Sequence, residues 1–295
     1  MKIRFAVTPP GVAFHESAFP DYISACEELG FDTLWLSDVP LGPLGDPLFS
    51  LAFAAGCTRR LKLGANVVPL GRNPWLLARQ LAQLDRMSGG RLLLSFVPGL
   101  GPAAERAALG HQTGDRGRAM DEVLALLRRW WAGETVTASV GPYRFDALTL
   151  QPRPIQQPLE VWLGGLAPAA LERTARGADG WLTASATPAE AGRGRATILA
   201  RAAELGRPID PEHFGISIPY SRTAPPEASV EALRQRRADR DVTQILPIGD
   251  RALLSLIEAH VVQGISKFVL RSVSDAPDWR ADLDWLAESV LPLQT

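Results

Sequence analysis

Three observations predict an α/β protein built as a single closed (β/α)8 barrel, the TIM-barrel architecture, with one inserted excursion. Short apolar or β-branched runs alternate with longer stretches of helical period, eight such runs occur, and a chain of 295 residues suits one barrel of this kind. The runs are Lys2–Thr8, Asp32–Ser37, Leu61–Val68, Arg91–Val97, Glu160–Leu163, Gly180–Thr183, Phe214–Pro219 and Lys267–Arg271. Between the first two, Ser17–Leu29 reads as a helix closed by Gly30 in the left-handed conformation. After the fourth helix, Glu134–Pro158 departs from the alternation. It carries Pro142, Pro152, Pro154 and Pro158 with two β-like pieces, Thr135-Val136-Thr137 and Tyr143-Arg144-Phe145, and reads as the excursion. Pro168 opens the helix after the fifth run, and Gly206-Arg207-Pro208 closes the one that starts after Pro188. Thr223–Glu227 is a loop, followed by a charged helix Val230–Arg240 with Ser229 as its expected N-cap. Without repeats or low-complexity segments, residues 1–295 are expected to form one domain.

Composition narrows the function. The chain has 31 Lys+Arg against 32 Asp+Glu, a net charge of −1, which removes the electrostatic reason to expect nucleic acid or an anionic membrane as partner. A small molecule is the expected ligand. No apolar run approaches the roughly eighteen residues of a membrane span, and the first residues lack a signal-peptide core, so a soluble, cytoplasmic protein is expected. Cys26 and Cys57 are too few for a disulfide framework, fit a reducing compartment, and are expected to be buried. No two of the four histidines are spaced to hold a metal on one helix face.

In a barrel of this class the chemistry lies at the C-terminal ends of the strands, so residues just after each run are the candidates. His15 follows the first run and Asp38 the second; His15 either meets a ligand or makes a structural contact, and Asp38 either caps a turn or does chemistry. Gly164-Gly165 before Pro168 is the sharpest phosphate signal. Two glycines let backbone N–H groups approach an anion, and the following helix aims its free N–H groups at the same place, although a plain βα turn fits as well. Gly99-Leu100-Gly101-Pro102 is not a dinucleotide fingerprint, because the matching acid, Asp121, falls within a helical pattern. Its turn still offers N–H groups.

The motifs resemble one family over residues 20–183, the bacterial luciferase-like oxidoreductases that use flavin or the deazaflavin coenzyme F420. The resemblance starts at Glu27–Asp38, continues through Leu63–Pro74, and is strongest at Leu81-Ala82-Gln83-Leu84-Asp85-Arg86-Met87-Ser88-Gly89-Gly90-Arg91-Leu92. Arg116–Glu122, Leu150–Gln156, Trp162–Gly165 and Ala178–Trp181 also match. Membership implies a barrel that holds reduced FMN, or alternatively F420, over its mouth, with Gly164 and Gly165 on the phosphate and Gly99 as a second cradle position. It implies that Asn66-Val67 props the ring from behind through a bulge, often with a non-proline cis peptide, which costs about 3–4 kcal/mol. The Asp85–Arg91 motif belongs to the lower face and is expected to be structural.

One departure bears on mechanism. Deazaflavin-dependent members commonly carry Ser-Asp-His after the second strand, and here Ser37-Asp38 is followed by Val39, which carries no proton. Three functions follow. The first is a monooxygenase using reduced FMN and oxygen on a small apolar substrate, with Val7, Trp35 and Val39 on the substrate and Phe5, Val67 and Phe96 completing a dry wall. The second is F420-dependent hydride transfer, whose anionic cofactor tail wants a basic path; Arg72 and Arg271 are candidates for it, and surface positions fit them equally. The third is a non-catalytic flavin-binding subunit. A separate flavin or F420 reductase is an expected partner for the enzymes. A homodimer through Phe49, Leu51, Phe53, Leu76 and Leu77 is the expected assembly, although core packing explains those side chains equally well.

Overall fold

The computed structural model describes residues 1–11, 16–42, 45–99, 102–110, 115–274 and 278–295. In chain order the first elements are β1 (Arg4–Val7), α1 (Phe19–Leu29), β2 (Thr33–Ser37), α2 (Pro47–Cys57), β3 (Lys62–Val67), α3 (Pro74–Ser88), β4 (Leu92–Phe96), α4 (Ala103–Ala108) and α5 (Arg116–Trp131). A hairpin of β5 (Val136–Val140) and β6 (Tyr143–Leu148) follows. The rest are β7 (Val161–Leu163), α6 (Pro168–Gly177), β8 (Gly180–Ala184), α7 (Pro188–Glu204), β9 (Phe214–Tyr220), α8 (Glu227–Arg236), α9 (Gly249–Val262), β10 (Lys267–Ser272) and α10 (Trp279–Val290). All eight expected strands form, and they close a barrel in the order β1-β10-β9-β8-β7-β4-β3-β2. The expected excursion is the antiparallel β5-β6 hairpin.

The chain divides into two compact units. One comprises Met1–Trp35, Arg60–Lys62 and Leu163–Thr295. Within it, register decides which way each strand residue faces. Tyr220 stacks on Trp285 of α10 and donates to Asp282 of the same helix at 2.9 Å, so it faces the helices. Ile218 and Ile216 alternate with it on that face, as do their β10 neighbours Leu270 and Phe268, and Val7 and Phe5 opposite those on β1. The other set, Ala6, Ser217, Val269 and Arg271, faces the interior, joined by Thr33 opposite Ala6 and by Trp35 two residues on. At the N-terminal ends of these strands, Asp32 meets Arg4 and Lys62 at 3.2 Å each, and Lys267 lies within electrostatic reach.

The second unit comprises Leu36–Arg59 and Leu63–Trp162. β3 and β4 pair without a shift from Leu63↔Leu92 to Val67↔Phe96. The strongest sequence motif ties this unit together. Asp85, fully buried, accepts from the backbone N–H groups of Ile155 and Gln156 at 2.7 and 3.0 Å and from the Gln156 amide at 2.7 Å, fastening the end of the excursion to α3. Arg91 donates to Thr58 and to the carbonyls of Ala55, Thr58 and Ser88. That motif is structural, as expected.

Several expectations need correction. Cys57 is exposed at the end of α2, while Cys26 is buried. Ser229 is not an N-cap: α8 starts earlier, behind Pro226, and the Ser229 hydroxyl donates instead to the Val273 carbonyl at 3.1 Å. Among the described residues the cis peptide bonds precede Pro152 and Pro158, and Asn66–Val67 is a trans link within a regular ladder, without the bulge. The stretch after β4 also contains a short helix, α4, that the strand-and-helix alternation did not include.

Candidate active site

Each unit carries its own set of strand-end groups. In the second, β2 ends at Ser37 and the Asn66 amide donates to its hydroxyl at 3.1 Å. Asp38 follows, nearly buried. Its Oδ2 accepts from the Val68 N–H at 3.0 Å and from Arg72 at 2.9 Å, so the carboxylate splices the ends of β2 and β3. Asp46 caps α2 by accepting from the Leu48 N–H at 2.8 Å and binds the same guanidinium at 3.1 Å. Burial works against the Arg72 charge, but Asp38 and Asp46 outweigh it and its pKa is raised. With two carboxylates on one guanidinium, Arg72 has no positive charge to spare for a cofactor tail.

Val39, half-buried, packs against the turn at Gly42, where an added Cβ would lie 2.7 Å from its Cγ1. Asn66 faces the same side as Ser95, whose buried hydroxyl has no hydrogen-bond partner, whereas Val67 pairs with Phe96 on the opposite face. Gly99 adopts a φ of 88°, and a side chain there would lie 2.8 Å from Glu105 Oε1. Glycine is therefore demanded at this turn by the backbone alone.

The first unit holds the phosphate candidates. A Cβ on Gly164 would lie 2.6 Å from the Leu182 carbonyl oxygen, and Gly165 has a φ of 105°. Trp181 fixes the turn by donating its indole N–H to the Gly165 carbonyl at 3.0 Å. Close strand packing therefore explains both glycines without a ligand. What remains is α6. Pro168 stands at its first turn as expected, but Ala167 is its N-cap and no side chain caps the first-turn N–H groups, while Ala167, Pro168 and Ala169 are exposed. α2, α3, α5, α7 and α10 are capped by Asp, Asn or Thr side chains, whereas α1, α8 and α9, like α6, have no side-chain cap. The open N-terminus of α6 suits an anion.

Of the remaining candidates, Trp35 faces the barrel interior and Val7 the helices. His15 lies outside the described residues. A shallow cleft lined by Arg4, Glu27, Arg60 and Gln294 opens at the N-terminal ends of the strands, the stability face of such barrels. The Asp38–Arg72–Asp46 cluster was missed in the sequence. Asp46-Pro47 signals a helix cap, but nothing in the pattern joins it to an arginine 26 residues later.

The fold and these strand ends define a barrel enzyme class. The model of the luciferase-like monooxygenase family matches residues 6–267, and the chain belongs to that family. Among curated relatives, the F420-dependent glucose-6-phosphate dehydrogenase of Nakamurella multipartita is 32% identical over 195 residues, covering 62% of this chain and 56% of the relative. The FMNH(2)-dependent dimethylsulfone monooxygenase of Pseudomonas fluorescens is 34% identical over 137 residues, covering 46% and 37%. The chain thus spans about half the length, or less, of these relatives. Among solved structures, an F420-dependent secondary alcohol dehydrogenase in complex with an F420-acetone adduct superposes with a TM-score of 0.83 at 18% identity over the whole of both chains. A monooxygenase from Streptomyces bottropensis does so at 0.74 and 23% over 99% of each.

Proposed function

We propose that the chain, acting as one domain over residues 1–295, is a flavin-dependent oxidoreductase that uses reduced FMN and oxygen on a small organic substrate of mainly apolar body. The observation that carries this reading is the end of β2. Hydride transfer from an alcohol needs a group to take the hydroxyl proton, a role the resemblance gives to a histidine at the position of Val39. Val39 is apolar, and the Asp38 oxygen that faces Val68 N–H is already bound to Arg72. Oxygenation asks instead for a dry wall.

The residues present fit such a cofactor at its anionic end. The uncapped first turn of α6, with the Gly164 and Gly165 backbone, would hold the phosphate; Asn66, Val67 and Gly99 would support the ring side. Reduced FMN would supply the electrons that activate oxygen. Trp35 and Val39 would border the substrate, with Val7 supporting that wall from the helix side. Asp38 positions Arg72 and the β3 end, and His15 is the candidate proton carrier after β1. A separate reductase would deliver the reduced flavin. Among the described residues no helix is long and apolar enough to cross a membrane, in keeping with a cytoplasmic enzyme. Phe49, Phe53 and Leu76 are exposed on α2 and α3 and would supply a homodimer face, while Leu51 and Leu77 are buried.

F420-dependent hydride transfer is the second reading, favoured by the relative from Nakamurella multipartita. Anaerobic fluorescence titration of the apoprotein with FMN, reduced FMN and F420 in parallel separates the two. Tight, selective binding of FMN or its reduced form is the expected result. Selective binding of F420 overturns the monooxygenase reading, and flavin binding with no turnover in a reductase-coupled assay leaves a flavin-binding subunit.

A further inference from the structure

Arg271 is an inward-facing arginine near the C-terminal end of β10, and among the described residues no hydrogen bond or ion pair reaches it. Most of its side chain is withdrawn from solvent. A buried guanidinium ordinarily has a carboxylate beside it, because an unpaired charge there is costly. Among the described residues, the charge that acts on it is of the same sign. Arg236 of α8 lies within electrostatic reach and is likewise unpaired among the described residues. Burial and this second, exposed cation both push the Arg271 pKa down.

Arg271's own layer of the inner face is also short of acceptors. The β1 ladder continues past Val7, where the Thr8 N–H donates to the Leu270 carbonyl at 3.3 Å, setting Thr8 beside Arg271; Trp35 extends the same layer on β2. Thr8 Oγ1 and Trp35 Nε1 are both shielded from solvent and both lack a hydrogen-bond partner. Two guanidinium groups, an indole N–H and a hydroxyl therefore look for acceptors at one corner of the strand ends. The α6 phosphate seat follows β7, three strands round the barrel from β10, about 14 Å at the usual strand spacing. One phosphate does not serve both.

We propose that Arg271, with Arg236 beside it and Thr8 and Trp35 in its layer, seats an oxyanion, a carboxylate or a phosphate, at one end of the organic substrate. The substrate is then apolar in body and anionic at one tip. This rests on reading the chain as a small-molecule oxidoreductase, but the anion seat is measurable in the apoprotein.

The test is calorimetric titration of the full chain with benzoate, phenyl phosphate and, as the neutral control, benzyl alcohol, in wild type, Arg271→Gln, Arg271→Lys and Arg236→Gln. One or both anions should bind wild type saturably, which also decides between carboxylate and phosphate. Arg271→Gln should weaken that binding at least tenfold, Arg271→Lys less, and Arg236→Gln a few-fold, with benzyl alcohol indifferent to all three. Arg271→Gln should raise Tm, because it deletes an unpaired charge. FMN and F420 affinities, measured separately, should not move. Equal anion affinity in wild type and Arg271→Gln overturns the proposal, as does loss of cofactor affinity in parallel with anion affinity, which would assign Arg271 to the cofactor. Failure of both cofactors to bind wild type would instead refute the oxidoreductase reading and leave the anion result standing.

Discussion

His260 lies fully buried on α9, and desolvation lowers its ring pKa from 6.5 to about 4. In the unfolded chain the ring takes up a proton near pH 6.5, whereas the folded chain resists it until about pH 4. Its contribution to stability is therefore complete above pH 6.5 and is lost as pH falls toward 4, by roughly 3 kcal/mol over that window. Urea unfolding of wild type and His260→Leu across pH 4–7 checks this: the wild-type curve should fall more steeply on acidification, and parallel curves would show that the ring stays protonated inside the fold. Arginines obey the same logic of environment. Arg72 and Arg271 are indistinguishable in the sequence as members of a basic path, yet Arg72 is held by two carboxylates and Arg271 by none among the described residues. Their partners come from positions far away in the chain, so charge pattern alone could not separate them.

At the scale of elements, α6 is the helix whose proposed role depends on what its N-terminus lacks. Ala169, exposed in its first turn, allows a test that Gly164 does not, because any side chain at Gly164 runs into the Leu182 carbonyl and confounds folding with binding. Ala169→Glu places a carboxylate against the proposed phosphate seat. Repulsion at an exposed site, after screening, is about 1–2 kcal/mol, which corresponds to a roughly five- to thirtyfold weaker Kd for FMN. The same glutamate suits the positive end of the helix, where it contributes ~0.3–1 kcal/mol, and should hold or raise Tm. Unchanged FMN affinity in a folded Ala169→Glu protein would remove α6 from the cofactor site. The excursion shows a different case: the motif that anchors it was legible as structural, but its partner segment was not. Asp85 and Arg91, the ends of the most specific motif, hold the hairpin's return and the entry to β4.

Across the whole molecule, the eight strands were legible because each is a short buried run between turn signals, and their closure followed from the count. Which face each residue takes was not legible. Phe5, Ala6 and Val7 are all buried, so β1 shows no alternation, and only the pairing of β10 with Tyr220's strand placed Val7 against the helices and Arg271 inside. The same limit hid the arrangement of charge within the first unit. At the N-terminal strand ends Asp32 pairs with Arg4 and Lys62 and acts on Lys267; burial pushes the Lys267 pKa down, and Asp32 and, more weakly, Glu212 work against that. Asp32→Asn leaves three cations together. Removing one partner from a buried pair costs about 3–5 kcal/mol, and because the Lys62 side chain is 42% exposed, the expected loss here is smaller, about 2–3 kcal/mol. The loss should shrink in 0.5 M salt by roughly a third, since counterions reach Lys62 more freely than its neighbours. Adding Lys62→Met to Asp32→Asn should return part of the stability by deleting one of the stranded charges. A loss below about 1 kcal/mol, or no recovery in the double variant, would mean that the floor is held by the apolar wall of β1 and β10 rather than by Asp32.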